Sequence, residues 1–312
     1  MNKQLRNWLA VLILSILLVG CQEAEKNTAV ETDSVQEVKE YTVTDDMGNE
    51  ITFEEVPDTV VSLQPSNTEI LFALGVGDKI VGATEYDTYP EKALEIERIS
   101  DSMSFNAERI LEINPDVVIA YTTGSEEELK VLEDAGLDVF VIQSALSFED
   151  VYGDIEQLAA VMGVEDKGTN LVNSIKTTIQ SVEDKVSGVT NQKQVYFEIS
   201  PSPEIFTTGK NTFQQEVLNN ASVVNIFGDQ EGWIKLSEED VIKKNPPIIL
   251  TTVNYVEDPI GEIKARPGWN QLEAVQNNAI FQLDSDIMSR PGPRIGEAVE
   301  LVAKTVYPEI FK

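Results

Sequence analysis

The sequence predicts an α/β protein built as two lobes joined by one long helix. Three observations carry this reading. The run from Asp166 to Val186 places Leu171, Val172, Ile175, Ile179, Val182 and Val186 at steps mostly of three and four, one face of an α-helix. The stretches Asn106 to Ile119 and Ser237 to Leu250 align without a gap on either side of it. Each has a capping residue, a glutamate two places on, a short amphipathic helix, Asn-Pro and a β-branched run. Strands alternate with helices elsewhere, as in a mostly parallel sheet covered on both faces. Cap, helix, Asn-Pro and strand is also a common way to write a single αβ unit. The shared register of the glutamate, the Asn-Pro and the strand favours an internal repeat.

Taken in order, residues 1–20 have the lengths of a signal peptide. Lys3 and Arg6 precede an apolar run from Leu9 to Val19. That run is shorter than the roughly 20 apolar residues a spanning helix needs. It ends Leu18-Val19-Gly20-Cys21, and Cys21 is the only cysteine of the 312 residues. Residues 21–40 are rich in Glu, Asp, Thr and Val without an apolar period and read as a flexible acidic tether. The first lobe, with a leading hairpin, takes residues 41–165. The linking helix takes 166–188, where Gly188 lies at its end, and the second lobe takes 189–312.

Within the first lobe, Tyr41 to Phe53 alternates weakly around Asp45-Asp46-Met47-Gly48-Asn49, a hairpin signal. Val60 to Leu63 is a short buried strand. Gln64-Pro65-Ser66-Asn67 turns into a helix from Thr68 to Leu74, stopped by Gly75 and Gly77. Ile80 to Gly82 is a strand, and Tyr86, Asp87, Tyr89 and Pro90 form a loop. Val117 to Ala120, a helix from Glu126 to Ala135, and the strand Val139 to Ile142 follow. In the second lobe, strands are expected at Gln194–Ile199 and Ile280–Leu283. A helix ends at Asn219-Asn220, and a last helix runs from about Arg294 to Val306. Thr208-Gly209-Lys210-Asn211-Thr212 lacks the first glycine and the hydroxyl after lysine that a phosphate loop needs.

Ligands of such sheets sit beyond the carboxyl ends of the strands. That places Ser66, Tyr86 and the segment from Ser102 to Phe105 at one rim. Phe206, Trp233, Asp286 and Arg290 are expected in loops at the other. Two aromatic faces with a nearby acid and base suit a large, flat, hydrogen-bonding ligand. The alternative, equally compatible with the residue types, is that the aromatics are core and that Asp286 pairs with Arg290.

Composition removes several classes. The chain has no histidine and no second cysteine. The commonest zinc ligands, haem ligand and general base are therefore missing, and so is a Ser-His triad. No G-x-S-x-G elbow is present, and an enzyme is not expected. The formal net charge of −31 repels nucleic acid.

Several separated motifs, in order, resemble one family. Val60-Val61-Ser62-Leu63-Gln64-Pro65-Ser66-Asn67-Thr68-Glu69, the two glutamate-to-Asn-Pro repeats and Ser289-Arg290-Pro291-Gly292-Pro293-Arg294-Ile295 look like the substrate-binding proteins of ABC importers for iron complexes and vitamin B12. The resemblance covers roughly Tyr41 to the end. It implies two Rossmann-like lobes on a single backbone helix, the helical-backbone type of metal-chelate receptor, with small lobe movement on binding. Cobalamin-binding members look closest. Their ligand positions correspond to Ser66, Tyr86, Phe206, Trp233, Asp286 and Arg290. A first-lobe aromatic of a well-known cobalamin binder falls near Ser102, with Met103 and Phe105 beside it. That departure keeps a ferric siderophore open as the alternative chelate. Haem-binding relatives often use histidine, which this chain lacks.

The resemblance further implies docking of Glu108 and Glu239 onto arginines of an ABC permease, which works with its ATPase. Placement near a helix dipole would account for each glutamate singly, though not for their shared register. Val19-Gly20-Cys21 resembles a lipobox, which implies a lipid on Cys21 and a place on the outer face of the cell membrane. A monomer is expected, with no cofactor of its own; the metal chelate is cargo.

Overall fold

The computed structural model describes residues 40–101, 104–121 and 126–312. They belong to one compact unit, Val38–Lys312. The expected signal peptide, tether and Cys21 lie outside the described residues.

A leading hairpin pairs β1 (Tyr41–Thr44) with β2 (Glu50–Phe53) antiparallel. Asp45 makes its turn by accepting the Met47 and Asn49 amides at 2.9 and 2.8 Å. The same carboxylate accepts the Val141 amide at 3.2 Å, which fastens the hairpin to the first lobe.

That lobe is a parallel sheet of β3 (Val60–Ser62), β4 (Ile80–Thr84), β5 (Arg98–Ser100), β6 (Val117–Tyr121) and β7 (Val139–Ile142). The strand order is β5-β4-β3-β6-β7. The chain runs outward from β3 to β5, then returns to the other side of β3 with β6. This reversal is the switch point at which a parallel sheet opens a crevice. The helices are α1 (Pro65–Ala73), α2 (Ala107–Ile113), α3 (Glu126–Asp134) and α4 (Phe148–Val161). Helix α1 starts three residues before the expected Thr68, because Pro65 occupies its first turn, where a missing N–H costs nothing. Helix α4 was not expected from periodicity. Its signal is a capping box, in which Ser147 and Asp150 satisfy each other's backbone amides.

Helix α5 (Glu165–Val186) is the linking helix, 22 residues long. Gly168 lies inside it and is buried. The second lobe contains β8 (Gln194–Glu198), β9 (Phe206–Thr208), β10 (Val224–Asn225), β11 (Trp233–Lys235), β12 (Ile249–Thr251) and β13 (Ile280–Gln282). Its parallel sheet has the order β10-β8-β12-β13, while β9 and β11 form a separate antiparallel ribbon. Its helices are α6 (Phe213–Asn220), α7 (Glu238–Lys244), α8 (Pro259–Ala265), α9 (Glu273–Gln276), α10 (Ser285–Ser289) and α11 (Ile295–Val306).

The internal repeat is real in three dimensions. Helices α2 and α7 each span seven residues. Each ends on an asparagine in the left-handed region, Asn114 at φ 50° and Asn245 at φ 47°, a conformation asparagine tolerates better than most residues. Each then feeds a strand, β6 or β12, that lies beside the first parallel strand of its lobe, β3 or β8.

Helix α5 is gripped from both lobes. It buries Val172, Ile175, Ile179, Val182 and Val186. A Cβ on Gly168 would stand 2.6 Å from Ala159 Cβ of α4, and one on Gly296 of α11 would stand 3.1 Å from Thr178 of α5. The glycines let three helices approach closely, and Ala159 has no flexible end to swing aside. Gly168→Val is expected to cost about 1–3 kcal/mol through overpacking, read as a lower midpoint in urea unfolding. An unchanged midpoint would show that this crossing is loose.

Candidate functional site

The first-lobe rim is shaped by Asp87. Its buried carboxylate accepts the Thr84 amide at 2.7 Å and the Thr84 hydroxyl at 2.5 Å. The chain therefore doubles back after β4 and leaves Tyr86 standing out, 56% exposed. Tyr89 follows in the same loop and is exposed as well. Phe105 is half-buried and packs on the core of Val61, Leu63 and Ile99. Ser102 lies outside the described residues. Ser66 is buried at the start of α1, and a Cβ on Gly292 would stand 3.5 Å from its carbonyl oxygen. The Pro-Gly-Pro turn of the second lobe thus lies on Ser66.

The second-lobe aromatics stand on strands, not in loops. Trp233 pairs with Thr208 and Lys235 with Phe206. Opposite residues in an antiparallel pair share a face, and so do residues two apart along a strand. Phe206 and Trp233 are therefore diagonal neighbours on one face of the β9–β11 ribbon. Trp233 is 44% exposed and donates from Nε1 to Gln214 Oε1 at 3.2 Å. The ribbon is pinned to the lobe by Asn225, whose amide donates to the Thr208 carbonyl at 2.8 Å. Tyr255, on the turn after β12, is 70% exposed. Sequence reading passed over it; an aromatic in a polar turn just beyond a central strand was the available signal.

Asp286 and Arg290 are also better ordered than loop residues. Asp286 lies in α10, and Arg290 caps that helix. They pair at 2.8 Å. Arg290 reaches further, donating from Nη1 to Glu69 Oε1 at 2.9 Å and from Nη2 to the Tyr86 carbonyl at 2.8 Å. Arg294 grips the same carboxylate, with Nε on Oε2 and Nη2 on Oε1, both at 2.7 Å. Its guanidinium also lies 4.2 Å from the centre of the Tyr89 ring. Burial depresses the Arg294 pKa, but the hydrogen bonds and charge of Glu69 outweigh it and leave the value raised. Thr88 closes the network by donating to Asp286 at 2.9 Å. Glu69, Arg294, Thr88 and Tyr89 were not among the site residues expected from the sequence.

A second buried cluster supports the other rim. Glu198, at the end of β8, receives Arg266 at 2.6 and 3.0 Å. Tyr196 donates to the same carboxylate at 3.1 Å. Burial, reinforced by that carboxylate, holds the Tyr196 phenol well above its ordinary range. Among the described residues, no three histidine, cysteine or acidic side chains are placed to hold a metal ion.

A family model for periplasmic binding proteins matches residues 60–287. The chain belongs to the periplasmic binding protein family. This binding protein is 36% identical to an uncharacterized ABC transporter substrate-binding lipoprotein, YvrC, of Bacillus subtilis, with 100% of both chains covered. It is 33% identical to the vitamin B12-binding protein of a Vibrio cholerae strain, over 78% of this chain and 87% of that one. A haem-binding protein, RhuT of Roseiflexus sp., superposes with a TM-score of 0.75 at 26% identity, over 81% of this chain and 99% of that one. The chain is thus an ABC transporter substrate-binding protein of the siderophore, B12 and haem group, a family of transport proteins that work with a permease and an ATPase. Among the described residues, no helix is long and apolar enough to cross a membrane.

On this binding protein, Glu108 and Glu239 are both exposed, each in the first turn of its repeat helix. The clamp around Glu69 generates a sharp expectation. Glu69→Gln leaves the buried Arg294 and the half-buried Arg290 beside a neutral amide. Loss of one partner of a buried pair costs roughly 3–5 kcal/mol. Urea unfolding should show that loss, and a change below about 1 kcal/mol would place the pair among weak surface bridges.

Proposed function

We propose that this protein captures cobalamin between its lobes and delivers it to an ABC permease, held at the outer face of the membrane by a lipid on Cys21. The observation that carries the ligand assignment is the shared face of Phe206 and Trp233. A corrin-sized plane needs a broad apolar surface with polar groups around its edge. Phe206 and Trp233 supply the surface, and Tyr86 and Tyr255 supply exposed phenols at the two rims. Similarity to a vitamin B12-binding protein supports the same reading.

Arg290 and Asp286 act here in two capacities. They fasten the β4–β5 loop to the second lobe, and their outer edges border the ligand. Glu108 and Glu239 present one carboxylate per lobe to arginines of the permease. The repeat places them in equivalent first turns, which suits a partner of matching pseudo-symmetry.

A second reading has one specific observation in its favour. The exposed phenols of Tyr86, Tyr89 and Tyr255 suit a ferric chelate, because phenol oxygen is a hard donor for a hard cation and a hydrogen-bond donor to chelate oxygens.

Titration with cyanocobalamin, followed by tryptophan fluorescence and by heat, distinguishes the two. Cobalamin capture predicts one-to-one binding, weakened at least about tenfold by Trp233→Ala, the scale of a lost aromatic contact of 1–2 kcal/mol. Binding of ferric siderophores with no response to cobalamin would transfer the site to the second reading.

A further inference from the structure

Away from the aromatic rim, a cavity of about 450 Å³ opens between the β1–β2 turn, the β7–α4 connection and α4. Asp46, Gln143, Ser144, Asp150, Asp154 and Gln157 border it, and among the described residues no lysine or arginine does. Asp46 comes from the hairpin turn, and its two oxygens accept Gln157 Nε2 and the Gln143 amide, both at 2.7 Å. Asp150 is committed to the amides of Leu146 and Ser147 at 2.9 Å each. Asp154 is different. It is only 6% exposed, it lines the cavity, and among the described residues it has neither a hydrogen-bond donor nor a counter-charge. One turn on, Gln157 Oε1 is also buried without a partner. The cavity therefore presents negative charge and an unpaired carboxylate to whatever fills it.

We propose that this cavity binds the primary ammonium group of a small aliphatic amine, with Asp154 as its counter-ion. An ammonium brings three N–H donors and one positive charge, which is what the unpaired carboxylate lacks. A bare metal ion fits less well, because no three acidic side chains close around a point among the described residues. Ammonium reaches spaced acceptors through its hydrogens.

The free site meets the same need with a proton. Burial, followed by the charges of Asp46 and then Asp150, pushes the Asp154 carboxyl up to about 8. Tyr121 at the end of β6 also faces it, its phenol raised chiefly by burial, with Asp154 adding to it. Glu149 also lines the cavity, from the first turn of α4. Binding an ammonium thus exchanges one cation for another: the amine enters charged and Asp154 releases its proton to solvent.

The test uses the full-length chain in detergent micelles, titrated with methylammonium and 1,4-diaminobutane by calorimetry in buffers of different ionisation heat. The proposal expects saturable binding with release of about one proton. Apparent affinity should rise about tenfold per pH unit between pH 6 and 7.5, as one displaced proton requires. Asp154→Asn should abolish both binding and proton release while keeping the wild-type circular dichroism spectrum. If that variant does not fold, the pH slope of the wild-type chain decides alone. Absence of saturable amine binding at pH 8 would overturn the proposal, as would binding without proton release. Saturation by calcium or potassium in place of the amines would overturn it too.

Discussion

Glu69 holds the two lobes in register. It sits on α1, at the central strand of the first lobe, and is buried. Two arginines of the second lobe converge on it, Arg290 from the end of α10 and Arg294 from the start of α11. Asp286 adds the second negative charge, so two acids meet two guanidiniums and the cluster is neutral. A buried carboxylate with no partner would be expensive; one with charge-assisted bonds to two guanidiniums is tolerated and directional. The direction matters more than the strength. A guanidinium fork accepts few orientations, so the approach of α11 to α1 is fixed. With it are fixed the Pro-Gly-Pro turn on Ser66 and the loop that carries Tyr86.

The candidate surfaces depend on this arrangement. Helix α5 sets the span between the lobes, and its close crossings at Gly168 and Gly296 resist sliding. The clamp then sets the rotation about that span. On the second lobe, the β9–β11 ribbon holds Phe206 and Trp233 on one face, backed by Gln214 and Asn225. On the first, Asp87 folds the chain so that Tyr86 projects. Rigid elements supply the placement, and short loops supply the exposed groups. Preset geometry of this kind lowers the ordering cost of capturing a ligand.

Much of this was legible in the sequence, and the reasons are physical. The period of three and four from Leu171 to Val186 can only be satisfied by a helix with one buried stripe. The Asn-Pro repeats mark left-handed caps followed by strands, a local signal that needs no tertiary information. The aromatic ribbon was half legible: Phe206 and Trp233 could be singled out, but their sharing of one face joins residues 27 apart and depends on the strand register. The clamp was not legible. Glu69 in isolation reads as a first-turn helix glutamate, and Arg294 as a surface cation. Their meeting across 225 residues is a tertiary fact. Helix α4 was passed over although Phe148, Val151, Tyr152, Ile155, Leu158 and Ala159 keep a period of three and four; its polar face carries Asp150 at the acidic cavity.

The most direct measurement is the interlobe distance by pulsed electron–electron resonance. Nitroxides would be placed at Val131→Cys and Val224→Cys, both exposed and one on each lobe, in a chain whose Cys21 is replaced. The clamp predicts one narrow distance distribution, which broadens in Glu69→Gln while circular dichroism stays unchanged. Equal widths with and without the carboxylate would show that the linking helix alone orients the lobes, and would contradict the role assigned to Glu69.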